Sequence, residues 1–179
     1  MRRTSPARVS SPAFRYRRPH CSSCILVTRI CRRVVAPGGE ICVIVAHPPP
    51  RIGRNWIRQA ELTDQRISGI AVEATPGQPS VLLTDFNRVG CQAAYRQLRQ
   101  SGLIDAFGTD GRGTGFTLPT RFSHPTYRGH PLGGLPLPPL LRVDYVWHTA
   151  HSRARASWIG GNAGSGHLPV LVELERVDG

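Results

Sequence analysis

The run Val81-Leu82-Leu83-Thr84-Asp85-Phe86-Asn87 constrains this chain more than any other. Three aliphatic residues in succession read as a strand buried on both faces, and such strands belong to sheets covered by further layers. The run ends in a carboxylate and an amide one residue apart, which an extended backbone sets on the same side of the chain. Strand ends are where α/β proteins hold their reacting groups. Asp85 can polarise a water; Asn87 can donate to a phosphate oxygen and accept from the same water. With 16 Pro and 19 Gly, the composition favours a loop-rich α/β or β-rich domain over a helical bundle.

Three further pieces repeat the pattern of a polar group beside an apolar strand. His47 ends Ile41-Cys42-Val43-Ile44-Val45-Ala46, and Pro48-Pro49-Pro50 stops that strand because proline cannot continue a ladder. Asp144 lies in Arg142-Val143-Asp144-Tyr145-Val146-Trp147, and His167 precedes Leu168-Pro169-Val170. Two Asp, one Asn and two His make a set suited to phosphate-ester hydrolysis. The competing structural reading makes Asp85 an Asx-turn residue, Asp144 a partner of Arg142, His47 a strand terminator and His167 a solvated loop residue.

These segments, in this order, resemble the endonuclease/exonuclease/phosphatase superfamily with its DNase I-like fold. The correspondence runs through His47, Thr84-Asp85-Phe86-Asn87, Thr117-Leu118-Pro119, Arg142-Val143-Asp144-Tyr145 and Ser165-Gly166-His167-Leu168-Pro169, and covers roughly residues 40–175. The His-Pro-Pro opening and Trp56 resemble a VanJ-like bacterial subgroup. The resemblance implies a four-layer α/β sandwich of two packed mixed sheets flanked by helices. It implies that Asp85 takes a proton from water, that Asn87, His47 and His167 hold the phosphoryl group, and that Asp144 orients His167. It implies Mg²⁺ or Mn²⁺, with Asp85 and Asn87 as the metal-side residues. The substrate class is a phosphate ester: nucleic acid, lipid phosphate or small phosphoester. No obligate protein partner is implied. The chain departs from the family at two metal-handling positions. Gly166 stands where the family has Asp, and no early strand carries the family's Glu. Thr84 also replaces a Gly.

The length of 179 residues suits one domain. A net charge of +12 invites a nucleic-acid reading, but its distribution argues for caution. Residues 1–37 hold nine Arg and no acid, the remainder holds fourteen Arg against eleven acids, and Lys is absent. Cations that are all Arg read as coding bias more readily than as a selected basic face. The expected organisation is an Arg-rich, poorly ordered segment over 1–37, read as a truncated or misassigned start, followed by a partial catalytic domain over 38–179. A transit peptide and an Arg-rich RNA-binding tail are the other readings of that segment. Cys21 and Cys24 alone do not make a zinc site, although His20 and Cys31 could complete four ligands, and Cys42 reads as a small core residue. No apolar run is long enough for a membrane span. The implied setting is bacterial, either cytoplasmic or membrane-associated through an anchor encoded upstream.

Along the chain, Asn55 to Ala74 has near-helical apolar spacing, Cys91 to Ser101 reads as a short helix ended by Gly102, and Leu141–His148 and Leu168–Leu174 read as strands. Gly108 to Leu140 reads as loop, with one short strand near Thr114–Leu118. His124, His130, His148 and His151 read as solvated. Two rival functions stand beside the hydrolase: an inactive remnant of the same fold, and an Arg-rich nucleic-acid-binding module, for which aromatic interleaving is confined to Phe14 and Tyr16.

Overall fold

The computed structural model describes residues 28–36, 38–48, 58, 61–62, 64–67, 69, 78–121, 126–127, 130–131 and 133–177. Its centre is a five-stranded mixed sheet. β1 (Thr28–Ala36) and β2 (Gly39–His47) form an antiparallel hairpin, and β2 runs parallel to β3 (Ser80–Asp85). β3 lies antiparallel to β7 (Asp144–His148), which pairs with the two-residue β4 (Ile104–Asp105). β8 (Ser152–Ile159) and β9 (Val170–Arg176) make a separate antiparallel sheet, and β5 (Thr126–Tyr127) and β6 (His130–Pro131) a short ladder.

Alternation along the central strands divides the interior into two cores. Cys42, Ile44, Ala46, Leu82, Tyr145 and Trp147 face a helical layer that supplies Ile67, Ala94 and Leu98. Tyr145 and Trp147 stack at 5.6 Å, and Phe86 meets Tyr145 edge-on at 6.1 Å. Val81 and Val146, on the opposite face, meet Ala154, with Ile41, Leu83, Val170, Val172 and Leu174 packed around them. Helices, mixed sheet and second sheet are three of the four expected layers. Among the described residues the second sheet is the antiparallel pair β8 and β9, joined at Ser157 by a parallel bridge from Gly111.

Several expectations are met and several are corrected. The described residues between 58 and 69 are helical, as the spacing over Asn55 to Ala74 predicts; Asn55 and Trp56 lie outside the described residues. The helix expected at Cys91 to Ser101 spans Ala93–Gln100, and the backbone at Gly102 has a φ of +89°. Near Thr114–Leu118 there is only a single bridge, Leu118 to Leu141. Among the described residues the first strand is Thr28–Ala36, ahead of the strand expected from Glu40. β1 is an edge strand, half exposed, so its Arg-interrupted sequence lacks the apolar run that marks a covered strand. His148 is 2% exposed, not solvated, because it is flanked in the sheet by both Val81 and Ile104. His151 is half buried and lies 3.3 Å from the Thr149 hydroxyl. His124 and residues 1–27 lie outside the described residues.

Candidate active site

Register builds the site. Asp85 ends β3 directly opposite Asp144, the first residue of β7. Ala46 pairs with Thr84, so His47 stands one step on, at the level of Asp85. His47, Asp85 and Asp144 therefore form a row across three neighbouring strands on the face that looks toward the second sheet. His47 Nε2 lies 3.3 Å from Asp85 Oδ2. His167, from the loop that enters β9, brings Nδ1 to 2.9 Å from Asp144 Oδ2. Asp85, Asp144 and His167 each present a ligand-type atom within 4.8 Å of the others.

Asn87 joins through the turn beyond β3. Its backbone N–H donates to Asp85 Oδ1 at 3.2 Å, so the Asx turn of the structural reading is present and fixes one carboxylate oxygen. Its side-chain amide donates to the Pro48 carbonyl at 3.0 Å, tying the ends of β2 and β3 together. Asn87 has a φ of +51°, a left-handed conformation that Asn tolerates better than most residues. All five residues singled out in the sequence are thus brought together. Arg142 does not pair with Asp144; its guanidinium turns to Asp105 at 2.5 Å.

The loop carrying His167 is anchored. Thr120 donates from its hydroxyl to the Ser165 carbonyl at 2.7 Å and from its N–H to the Gly166 carbonyl at 3.0 Å. The Leu168 N–H donates to the Thr117 carbonyl at 2.8 Å, and Arg121 to the Gly164 carbonyl at 2.6 Å. The Thr117-Leu118-Pro119 segment therefore holds the histidine loop in place. Beside the row, a cavity of about 360 Å³ opens between the sheets, lined by Leu83, Asp144, Val146, His167, Leu168 and Val170.

Burial raises the Asp85 carboxyl above its ordinary value, and the facing Asp144 raises it further; His167, His47 and the Asn87 N–H pull the other way. A carboxyl poised in this way suits a proton acceptor. Burial also raises the Tyr145 phenol, so it remains a donor, bonded to the Arg88 carbonyl at 2.9 Å and the Arg142 carbonyl at 2.8 Å. Two carboxylates in register repel, and a divalent cation between them would relieve that repulsion. The ligand atoms that converge there come from Asp85, Asp144 and His167, two carboxylates and an imidazole, a set that could hold a divalent cation. Sequence reasoning missed the supporting residues Asp64, Arg88, Pro48 and Thr120. Arg88, an ionisable residue directly after Asp-Phe-Asn, was the available signal.

No protein-family model matches the sequence, and no curated protein matches it. Solved structures do. An endonuclease/exonuclease/phosphatase from Beutenbergia cavernae superposes with a TM-score of 0.61 at 18% identity, covering 84% of this chain and 39% of its own. A family protein from Leptotrichia buccalis gives 0.57 at 18%, covering 80% and 52%. The human Nocturnin catalytic domain, with a bound sulfate anion, gives 0.55 at 20%, covering 84% and 53%. The fold is DNase I-like. The chain spans about half the length of these structures or less.

Proposed function

We propose that this chain is a member of the endonuclease/exonuclease/phosphatase superfamily, of its VanJ-like subgroup, and that the row at the strand ends is a phosphoester hydrolysis site. The observation that carries the reading is the register-level alignment of His47, Asp85 and Asp144, completed by the His167–Asp144 bond. Asp85 accepts the proton of the attacking water. His47, His167 and the Asn87 amide offer donors to the non-bridging oxygens, where phosphoryl transfer concentrates charge. Asp144 fixes the ring of His167 so that its other nitrogen faces the phosphoryl group. Asp85 and Asn87, with Asp144 beside them, are the residues that would hold Mg²⁺ or Mn²⁺; a bound cation neutralises charge on the phosphoryl oxygens.

The substrate class is a phosphate ester, whether carried by a nucleic acid, a lipid or a small molecule. Among structures of similar fold is a 3′ phosphatase from Neisseria bound to a product DNA hairpin, with a TM-score of 0.50 at 18% identity, covering 81% of this chain and 64% of its own. No helix among the described residues is long and apolar enough to cross a membrane. Gly166, which brings no carboxylate to the metal side, favours a second reading in which activity is weak or lost. The test is hydrolysis of bis-p-nitrophenyl phosphate with Mg²⁺ or Mn²⁺. Asp85→Ala should lower the rate by about 10²–10⁴-fold, the usual contribution of a positioned proton acceptor. Hydrolysis indifferent to Asp85→Ala would refute the reading.

A further inference from the structure

The turn that carries Asn87 is gripped from behind by a charged group that the hydrolysis scheme leaves unused. Arg88 is 1% exposed and Asp64 3%. Their contact is forked: Nε donates to Asp64 Oδ2 at 3.3 Å and a terminal nitrogen to Oδ1 at 3.2 Å. The other terminal nitrogen donates to the Asn87 carbonyl at 3.0 Å. The Tyr145 hydroxyl bonds the Arg88 carbonyl at 2.9 Å. The peptide after Asn87 is therefore held by the guanidinium of Arg88, which Asp64 anchors from the helical segment, and the next peptide by Tyr145 from β7.

Stability alone does not account for this arrangement. A charge pair removed from water gains little over a well-packed apolar pair of equal volume. Position does account for it. Asn87 is the one non-glycine residue with positive φ among the described residues, a conformation that surrounding contacts must over-determine. A guanidinium can grip two carboxylate oxygens and a carbonyl at once, whereas the compact ammonium of Lys cannot reproduce that planar fork.

We propose that Arg88, held by Asp64, is a positioning residue for Asn87: it fixes the Asn87 peptide, from which the side-chain amide, already tied to the Pro48 carbonyl, is presented to the phosphoryl group. The inference rests on the phosphoester reading of the site and adds to it a group that never touches substrate. Misplacement by about 1 Å costs about 10²-fold in rate, which sets the effect expected.

The test uses the full chain and two ways of removing the grip. Arg88→Lys keeps the charge but not the fork, and Arg88→Met/Asp64→Leu removes both ions of the pair together. Both should speed hydrogen exchange of the Asn87 side-chain amide, read by ¹⁵N NMR, by about tenfold or more, because a group freed from its fixed geometry opens more often. Both should lower kcat for bis-p-nitrophenyl phosphate by about 10²-fold, with a much smaller change in KM. The deciding step is the same pair of changes in an Asn87→Gly background, which keeps the left-handed turn but lacks the amide. There the further loss should shrink to about threefold or less, since coupled residues are non-additive. An equal loss in both backgrounds, or Asn87 exchange unaffected by Arg88→Met/Asp64→Leu, overturns the proposal. Responsive exchange in a chain that hydrolyses no ester supports the coupling and overturns the hydrolase reading instead.

Discussion

The two sheets are built from similar aliphatic strands and reach different ends. In the mixed sheet, β3 and β7 are paired on both sides and covered on both faces, and Phe86, Leu98 and Trp147 are fully buried. In the second sheet, β9 has one strand partner among the described residues; its inward Val170, Val172 and Leu174 are only half covered, and Leu171 and Trp158 are exposed on its outer face. The contrast divides the site. His47, Asp85, Asn87 and Asp144 rise from the closed sheet, and His167 arrives from the open one. Four of the five candidate residues thus stand on the closed sheet, while His167 and the neighbouring Gly166 belong to the loop that enters the thinner layer.

The largest test of this contrast is core truncation. Trp147→Ala should cost about 3–5 kcal/mol, the range for a fully buried large aromatic, whereas Leu171→Ala on the outer face should stay within about 0.5 kcal/mol. Denaturant unfolding of both variants measures the difference, and equal losses would show that the second sheet is as tightly supported as the first.

A smaller effect concerns Asp85 and pH. Burial and the facing Asp144 lift its carboxyl above the ordinary aspartate value, so between the unfolded and folded values the folded state holds a proton that the unfolded chain has released. Stability contributed by that proton is therefore lost as pH rises from the unfolded value through the folded one. The acid limb of kcat/KM should lie at a higher pH than an ordinary aspartate would set, for the same reason. Asp144→Asn should move the limb down by removing a like charge, and His47→Ala should move it up. A ¹³C titration of the Asp85 carboxyl reads the same shifts without activity. Movement in the opposite directions would break the row across the strands. The smallest effect belongs to the exposed Arg153, Arg155 and Glu175 cluster on β8 and β9. Glu175→Gln should leave the melting temperature unchanged, because exposed pairs add little.

The closed sheet was the legible half. Continuous apolar runs announced β2, β3 and β7, and the polar residues at their ends carried the site. β8 was not legible. Its inward positions are small, Ser152, Ala154 and Ser157, alternating with Arg153 and Arg155, so the strand lacks a hydrophobic signal. β1 was hidden by Arg residues on an edge strand. The Arg88–Asp64 pair could not be read because it joins residues 24 apart, and sequence shows an ion, not its partner.

The most direct test of the central claim is Mn²⁺ binding and ester hydrolysis in Gly166→Asp beside the parent chain. A side chain there meets nothing within 4 Å of its first carbon, and Gly166 is not among the residues with positive φ, so the added carboxylate is sterically free. If the strand-end row is a phosphoester site short of a metal ligand, Gly166→Asp should tighten Mn²⁺ and raise hydrolysis of bis-p-nitrophenyl phosphate by about tenfold or more, since carboxylate count sets much of the affinity for such cations. Asp85→Ala should abolish that gain. A Gly166→Asp chain that binds Mn²⁺ no better and hydrolyses no faster than the parent would contradict the account.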